Sequence, residues 1–101
     1  MTLISSIEIS RSEDESRGRY EAHVAGRDGT GELTYSRVSA TQIIADHTGV
    51  DECLRGNGVG EALVERLVAD ARREGFTVFP LCPFVKAQYQ RHPEWSDVMQ
   101  S

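Results

Sequence analysis

Arg55-Gly56-Asn57-Gly58-Val59-Gly60-Glu61-Ala62 is the stretch whose reading decides the fold. Three glycines at alternate positions let the backbone turn sharply and bring its N–H groups close to a ligand. A helical stretch runs from there to Glu74. The first four N–H groups of a helix have no intrahelical partner, and the positive end of its dipole points the same way. That combination suits a phosphate or pyrophosphate, to which Arg55 adds a bidentate cationic contact. The same residues also suit a plain packing turn before a helix.

The helix itself carries a core face. Val59, Leu63 and Leu67 repeat at four, and Ala62, Val64, Val68 and Ala71 widen the stripe. Glu61, Glu65, Asp70, Arg72 and Arg73 fall mostly elsewhere, with carboxylates early and arginines late, as the dipole favours. Gly75 is a natural stop. The apolar run Phe76 to Leu81 then predicts a buried strand, and Cys82-Pro83-Phe84 opens a second, shorter helix with Pro83 in its first turn.

Two familiar phosphate-binding designs do not fit. A nucleoside-triphosphate loop needs Lys and Ser or Thr after its last glycine, where Glu61-Ala62 stand. A dinucleotide fingerprint needs a third glycine three residues after Gly58, where Glu61 stands. The segment instead resembles the Arg/Gln-x-x-Gly-x-Gly/Ala pyrophosphate loop of the GNAT N-acetyltransferase superfamily, with Arg55, Gly58 and Gly60 in register and Val50 to Leu54 similar to the strand end and connector before it. The second helix is similar to that superfamily's Asn-x-x-Ala-x-x-x-Tyr-x-x-x-Gly-Phe. Tyr89 falls on the Tyr, Cys82 replaces the Asn, Val85 replaces the Ala, and Pro93-Glu94 stand where Gly-Phe is expected. The tail from Cys82-Pro83-Phe84 through Tyr89 to Arg91-His92-Pro93-Glu94-Trp95 resembles a small single-domain branch. The likeness is specific over Val50 to Trp95 and generic before it.

The resemblance implies a mixed α+β sheet, antiparallel strands followed by a β-loop-α-β unit and a short C-terminal helix. It implies acetyl-coenzyme A as cosubstrate, with no metal, bound by Val50, Arg55, Gly56, Asn57, Gly58, Val59 and Gly60. It further implies transfer to a primary amine of a small molecule or protein by direct attack. The chemistry needs a base for the ammonium, a donor for the carbonyl oxygen and an acid for the departing thiolate. Tyr89 matches the position of the family's acid, and a surface aromatic is the plainer meaning. His47, late in a strand, is a candidate base because imidazole titrates near neutrality, against a merely hydrogen-bonded strand histidine. In a regular strand Asp46 would face away from it. Cys82, at a helix start, is a candidate nucleophile, a contact for the pantetheine or a small buried hydrophobe. Cys53 is read as structural, and His92 and Trp95 as packing the C-terminal end. The alternatives to direct attack are an acyl-coenzyme A-binding module with little turnover, or transfer through acetyl-Cys82.

The remainder of the chain fits one such domain over residues 1–101. A chain of 101 residues supports a single core. Leu3 to Ile9 predicts a strand, and Ser12 to Gly18 a polar loop whose Glu13, Asp14 and Glu15 read as a solvated turn. Tyr20, Ala22 and Val24 alternate with polar residues, as do Leu33 and Tyr35 in a strand continuing to Val38. Gly26 to Gly31 connects the two, and Gln42 to Val50 forms a fourth strand. The N-terminal half lacks helical periodicity, so the two helices that usually cover the acceptor in the superfamily are not expected. The net charge of −5 argues against nucleic acid or anionic membrane as partner. The start Met1-Thr-Leu-Ile-Ser-Ser-Ile lacks the pattern of a secretion signal, and the two cysteines lack a metal-ligand spacing, which together predict a cytoplasmic protein with free thiols.

Overall fold

The computed structural model describes residues 7–100. Five strands form one sheet in sequence order, β1 (Ile7–Glu13), β2 (Arg17–Val24), β3 (Gly31–Ser39), β4 (Gln42–Val50) and β5 (Thr77–Pro80). The first three pairings are antiparallel and the last is parallel, so the chain crosses from β4 to β5 through α1 (Val59–Glu74). A parallel pair cannot be joined by a tight turn, which is why the long amphipathic helix stands between these strands. A shorter helix, α2 (Pro83–Arg91), follows β5. The architecture is the mixed α+β sheet that the sequence predicts. Among the described residues the first α-helix begins at Val59.

One face of the sheet carries the core. Tyr20 and Ala22, Leu33 and Tyr35, Ile43 and Ala45, and Val78 are buried against Leu63, Val64, Leu67 and Val68 of α1. Period-two alternation sends Arg19, Glu21, Glu32 and Thr34 to the opposite face, which has no helix over it among the described residues. Burying each large apolar side chain contributes about 1.5–3 kcal/mol, so this single layer of helix on sheet holds the fold.

Several boundaries differ from the sequence reading. Ser12 and Glu13 extend β1, and Arg17 and Gly18 already belong to β2. The turn is therefore only Asp14 to Ser16, closed by the Asp14 carboxylate, which accepts the N–H groups of Ser16 (3.0 Å) and Arg17 (2.9 Å). Glu13 is no solvated turn residue. It accepts from Arg37 Nε (2.6 Å) and from the Tyr35 hydroxyl (2.7 Å). The hydrogen bond from Arg37 pulls its carboxyl down to about 2 from an ordinary 4.5. Residues 3–6 of the first predicted strand lie outside the described residues, as does most of the start read for a secretion signal.

Asp70 is the largest departure within α1. It is fully buried, whereas the sequence pattern groups it with the polar residues of the helix. It stands seven residues after Leu63, on the same helix face. Its carboxylate accepts from the Tyr20 hydroxyl (2.7 Å), Arg66 (3.1 Å), Arg73 (2.6 Å) and Arg11 (3.3 Å). Burial opposes its ionisation, but the Tyr20 hydrogen bond and the Arg66 charge outweigh burial and hold its pKa below the ordinary value. The network ties β1, β2 and α1 together away from the loop.

Beyond α2, a short 3-10 turn over Pro93–Asp97 returns the chain to the sheet edge. Val78 N–H bonds to Val98 O (2.7 Å), and Gln100 N–H to Val78 O (2.8 Å). These bonds cover the edge of β5 that would otherwise be open.

Candidate functional site

The loop between β4 and α1 shapes a cavity of about 450 Å³. Thr48, Gly49 and Val50 at the end of β4 form one side. Leu54, Arg55, Gly56 and Gly58 of the loop, and Val59, Gly60 and Glu61 of the first helical turn, form the floor. Phe84 of α2 closes the far side. The pairing of β4 with β5 ends at Ala45 and Pro80, so the part of β4 that lines the cavity lies beyond its pairing with β5.

Backbone geometry explains the loop's composition. Gly56 (φ 85°) and Gly58 (φ 77°) are both left-handed, a conformation that costs other residues about 1–2 kcal/mol. Gly58 is the N-cap of α1 and offers no side chain to cap it. The helix's first bond is from Ala62 N–H to Gly58 O (2.9 Å), so the N–H groups of Val59, Gly60 and Glu61 precede any intrahelical acceptor. Three donors and the positive end of a 16-residue helix thus converge on the cavity floor, with the exposed Arg55 beside them. Asn57 serves the loop's own shape, as its amide donates to Leu54 O (3.1 Å). The hairpin after β2 braces the loop from outside. Thr30 N–H donates to the Asp51 carboxylate (2.8 Å), and Arg27 to Cys53 O (3.1 Å).

This arrangement can hold a doubly charged oxyanion on backbone donors, with Val50, Leu54, Val59 and Phe84 providing apolar wall for an uncharged arm. That is the donor set a coenzyme A molecule requires: anion cradle, cation, and apolar channel. Glu61 is the one opposing charge in the lining, and it stabilises the helix start when no anion is present.

Each residue predicted from sequence has a definite place. Val50, Arg55, Gly56, Gly58, Val59 and Gly60 line the cavity, and Asn57 lies within the same loop. Cys82 is buried, one layer behind the wall. Its thiol donates to Thr48 Oγ1 (3.4 Å), and its N–H donates to Ala45 O (2.9 Å). His47 is exposed and lies outside the lining, opposite Thr34 on the helix-free face of the sheet. Tyr89 lies on a separate cavity of about 370 Å³ with Phe79, Pro80 and Gln100. The structure therefore brings the loop residues and Thr48 together and leaves Tyr89 apart from them. Cys53 is exposed, its thiol donating to Asp28 O (3.2 Å), and Trp95 is buried with His92 stacked on it at 4.3 Å.

Asp46 and His47 share a face, against the opposed placement that a regular strand predicts. The register jumps between Thr34–His47 and Tyr35–Ala45, so Asp46 is the extra residue of a bulge. Ser36 donates to its carboxylate (2.7 Å), which sets Asp46 on the same helix-free face as His47. A larger groove of about 630 Å³ lies over this face near the β1–β2 turn. Most of its charges are already engaged: Glu13 by Arg37, Asp46 by Ser36, and Arg19 by Glu32 (3.0 Å). The loop cavity, with its unengaged backbone donors, is the better anion site.

The sequence reading missed Thr48, Glu61 and Phe84. Thr48 reaches the helix side only through the bulge at Asp46, since regular alternation from Ile43 and Ala45 would turn it away, and Phe84 depends on how α2 docks. Among the described residues, no group of three His, Cys, Asp or Glu side chains converges on a metal-sized space, and no helix is long and apolar enough to cross a membrane.

Comparisons with known proteins bear on this geometry. The profile of the GCN5-related N-acetyl-transferase family matches residues 19–98. Among solved structures, the NMR solution structure of a GCN5-like protein from Staphylococcus aureus is similar to the chain, with a TM-score of 0.65 at 28% identity. That similarity covers 96% of this chain and 91% of the other. No curated protein matches the sequence.

Proposed function

Because the chain belongs to the GCN5-related N-acetyltransferase family, we propose that its loop cavity binds acetyl-coenzyme A and that the protein moves the acetyl group to a primary amine by direct attack. The observation carrying this reading is the start of α1: three N–H donors without intrahelical acceptors or side-chain cap, beside the end of β4 that lies beyond its pairing with β5. The N–H groups of Val59, Gly60 and Glu61 would hold the pyrophosphate, and Arg55 would neutralise part of its charge. Val50 and Phe84 would flank the pantetheine arm. The thioester would then lie toward Thr48.

In this scheme the neutral amine forms the new C–N bond, the C–S bond breaks, and coenzyme A leaves as the thiolate, which takes up the proton that the nitrogen sheds on becoming an amide. The amine must first lose a proton. His47 is the proposed base because its ring stands beside Gly49 of the cavity lining, where a Cβ would lie 3.1 Å from Nε2, and the bulge sets Asp46 on the same face as a second acceptor. No proton transfer is assigned to Tyr89, which lies on a separate cavity. Burial of Cys82 at 4% exposure favours direct attack over an acetyl-Cys82 intermediate.

Incubation with acetyl-coenzyme A and a panel of primary amines, followed by measurement of released thiol and acetylated amine, tests the proposal. Amine-dependent thiol release is expected. Binding of acetyl-coenzyme A with no release for any amine would replace this reading with that of an acyl-coenzyme A-binding module. Acetylated protein accumulating without amine would favour the cysteine route.

A further inference from the structure

Gly60 does not need to be glycine for its backbone. Of the glycines in the loop and first turn, Gly56 and Gly58 have positive φ and Gly60 does not. It lies in the first turn of a regular helix, where alanine would be preferred by roughly 1 kcal/mol. What occupies the space of its missing side chain is Phe84. A Cβ on Gly60 would stand 2.8 Å from Phe84 Cζ and 3.1 Å from Cε2, closer than packed carbons approach. The ring is 36% exposed, with its free surface turned to the cavity that Gly60 also lines. An aromatic ring this exposed at the wall of an anion site lacks an apolar partner.

We infer that Phe84 is a specificity-determining residue of the loop site, held against α1 by the absence of a side chain at Gly60, and that it packs on the uncharged arm of the ligand rather than on its phosphates. The inference rests on the coenzyme A reading above. It assigns to Gly60 a packing role, where its position in the motif suggests close approach to the pyrophosphate. Both anchors of Phe84 are fixed. Pro83 sets the start of α2, and Cys82 N–H is bonded to Ala45 O (2.9 Å), so the backbone that carries the ring is held beside α1.

Two ligands separate the roles. Coenzyme A carries the pantetheine arm, whereas adenosine 3′-phosphate 5′-diphosphate keeps the pyrophosphate and lacks the arm. Titration calorimetry of the full chain with each should show Phe84→Ala weakening coenzyme A about tenfold while leaving the diphosphate unchanged. Phe84→Leu should restore most of the loss, because it returns apolar surface. Gly60→Ala should melt no lower than the parent, since only the free end of a ring must move, yet weaken coenzyme A by pushing that ring aside. In the Phe84→Ala background, Gly60→Ala should have no further effect. Equal losses for both ligands on Gly60→Ala, or unchanged coenzyme A affinity in Phe84→Ala, would overturn the inference and leave the coenzyme A site standing. A parent that binds neither ligand would overturn the coenzyme A reading and this inference with it.

Discussion

Gly58→Asp is the substitution that most sharply divides the loop's function from its structure. Gly58 has φ 77°, a region that aspartate tolerates better than most residues, at a cost of about 1 kcal/mol. The nearest atom to a new Cβ is Glu61 Oε1 at 3.8 Å, so no steric clash follows. Repulsion between the two carboxylates adds ~0.2–0.5 kcal/mol, and any hydrogen bond from the new carboxylate to the first-turn N–H groups works in the opposite direction. The net loss is ~1 kcal/mol from a domain whose stability is of order 5–15 kcal/mol, so the fold survives with a melting temperature lower by about 4–8 °C. The new carboxylate, however, stands where a pyrophosphate would sit. The parent at a coenzyme A concentration a hundred times its dissociation constant should gain about 2.7 kcal/mol, on the order of 10 °C, and Gly58→Asp should gain nothing. Thermal melting with and without coenzyme A, monitored by circular dichroism, gives both numbers. Equal protection of the variant and the parent would refute the assignment of this helix start as the anion site.

Other expectations follow from the same geometry. Arg55→Ala should leave the melting temperature unchanged and weaken coenzyme A by about 1.5–3 kcal/mol, the range for a charge-assisted hydrogen bond, as measured by calorimetry. Asp70→Asn should destabilise by about 2–3 kcal/mol in urea unfolding. This is less than the ~3–5 kcal/mol of a fully buried pair, because Arg66 and Arg73 remain partly exposed. Glu13 ionises near 2 in the folded protein against an ordinary 4.5, so its stabilisation is full above 4.5 and fades as the pH falls toward 2. Melting curves between pH 5 and 2 should therefore fall less steeply for Glu13→Gln than for the parent. Iodoacetamide should alkylate the exposed Cys53 well before the buried Cys82, and peptide mass mapping of the native protein would reveal the reverse order if Cys82 were open to the cavity.

Much of the fold was legible because each segment's periodicity matches the face it buries. Val59, Leu63 and Leu67 mark the buried stripe of α1, and the alternation of Tyr20 with Ala22 and of Leu33 with Tyr35 marks the core side of the sheet. The loop was legible because glycines at alternate positions before a helix have few uses. What stayed hidden depends on contacts between distant segments. A bulge is invisible in a strand read alone, so Asp46 could not be set beside His47. Tyr89 sits at a motif position, but the docking of α2 turns it toward Phe79 and away from the loop. Asp70 looked polar and exposed because the arginines that satisfy it come from β1 and from its own helix. The spacing from Leu63 was the signal that pointed the other way. The motif accounts for the backbone of Gly60 in the loop, but the ring of Phe84 that fills the space beside it comes from a distant segment.

The central claim is that the start of α1 is the anion-binding element, and backbone amide resonances report on it residue by residue. A titration of ¹⁵N-labelled protein with coenzyme A should move the amides of Gly56, Gly58, Val59, Gly60 and Glu61 farthest, in a saturable manner, and leave those of Phe79, Tyr89 and Gln100 nearly still. Largest shifts around Tyr89, or no shifts up to millimolar coenzyme A, would contradict the account.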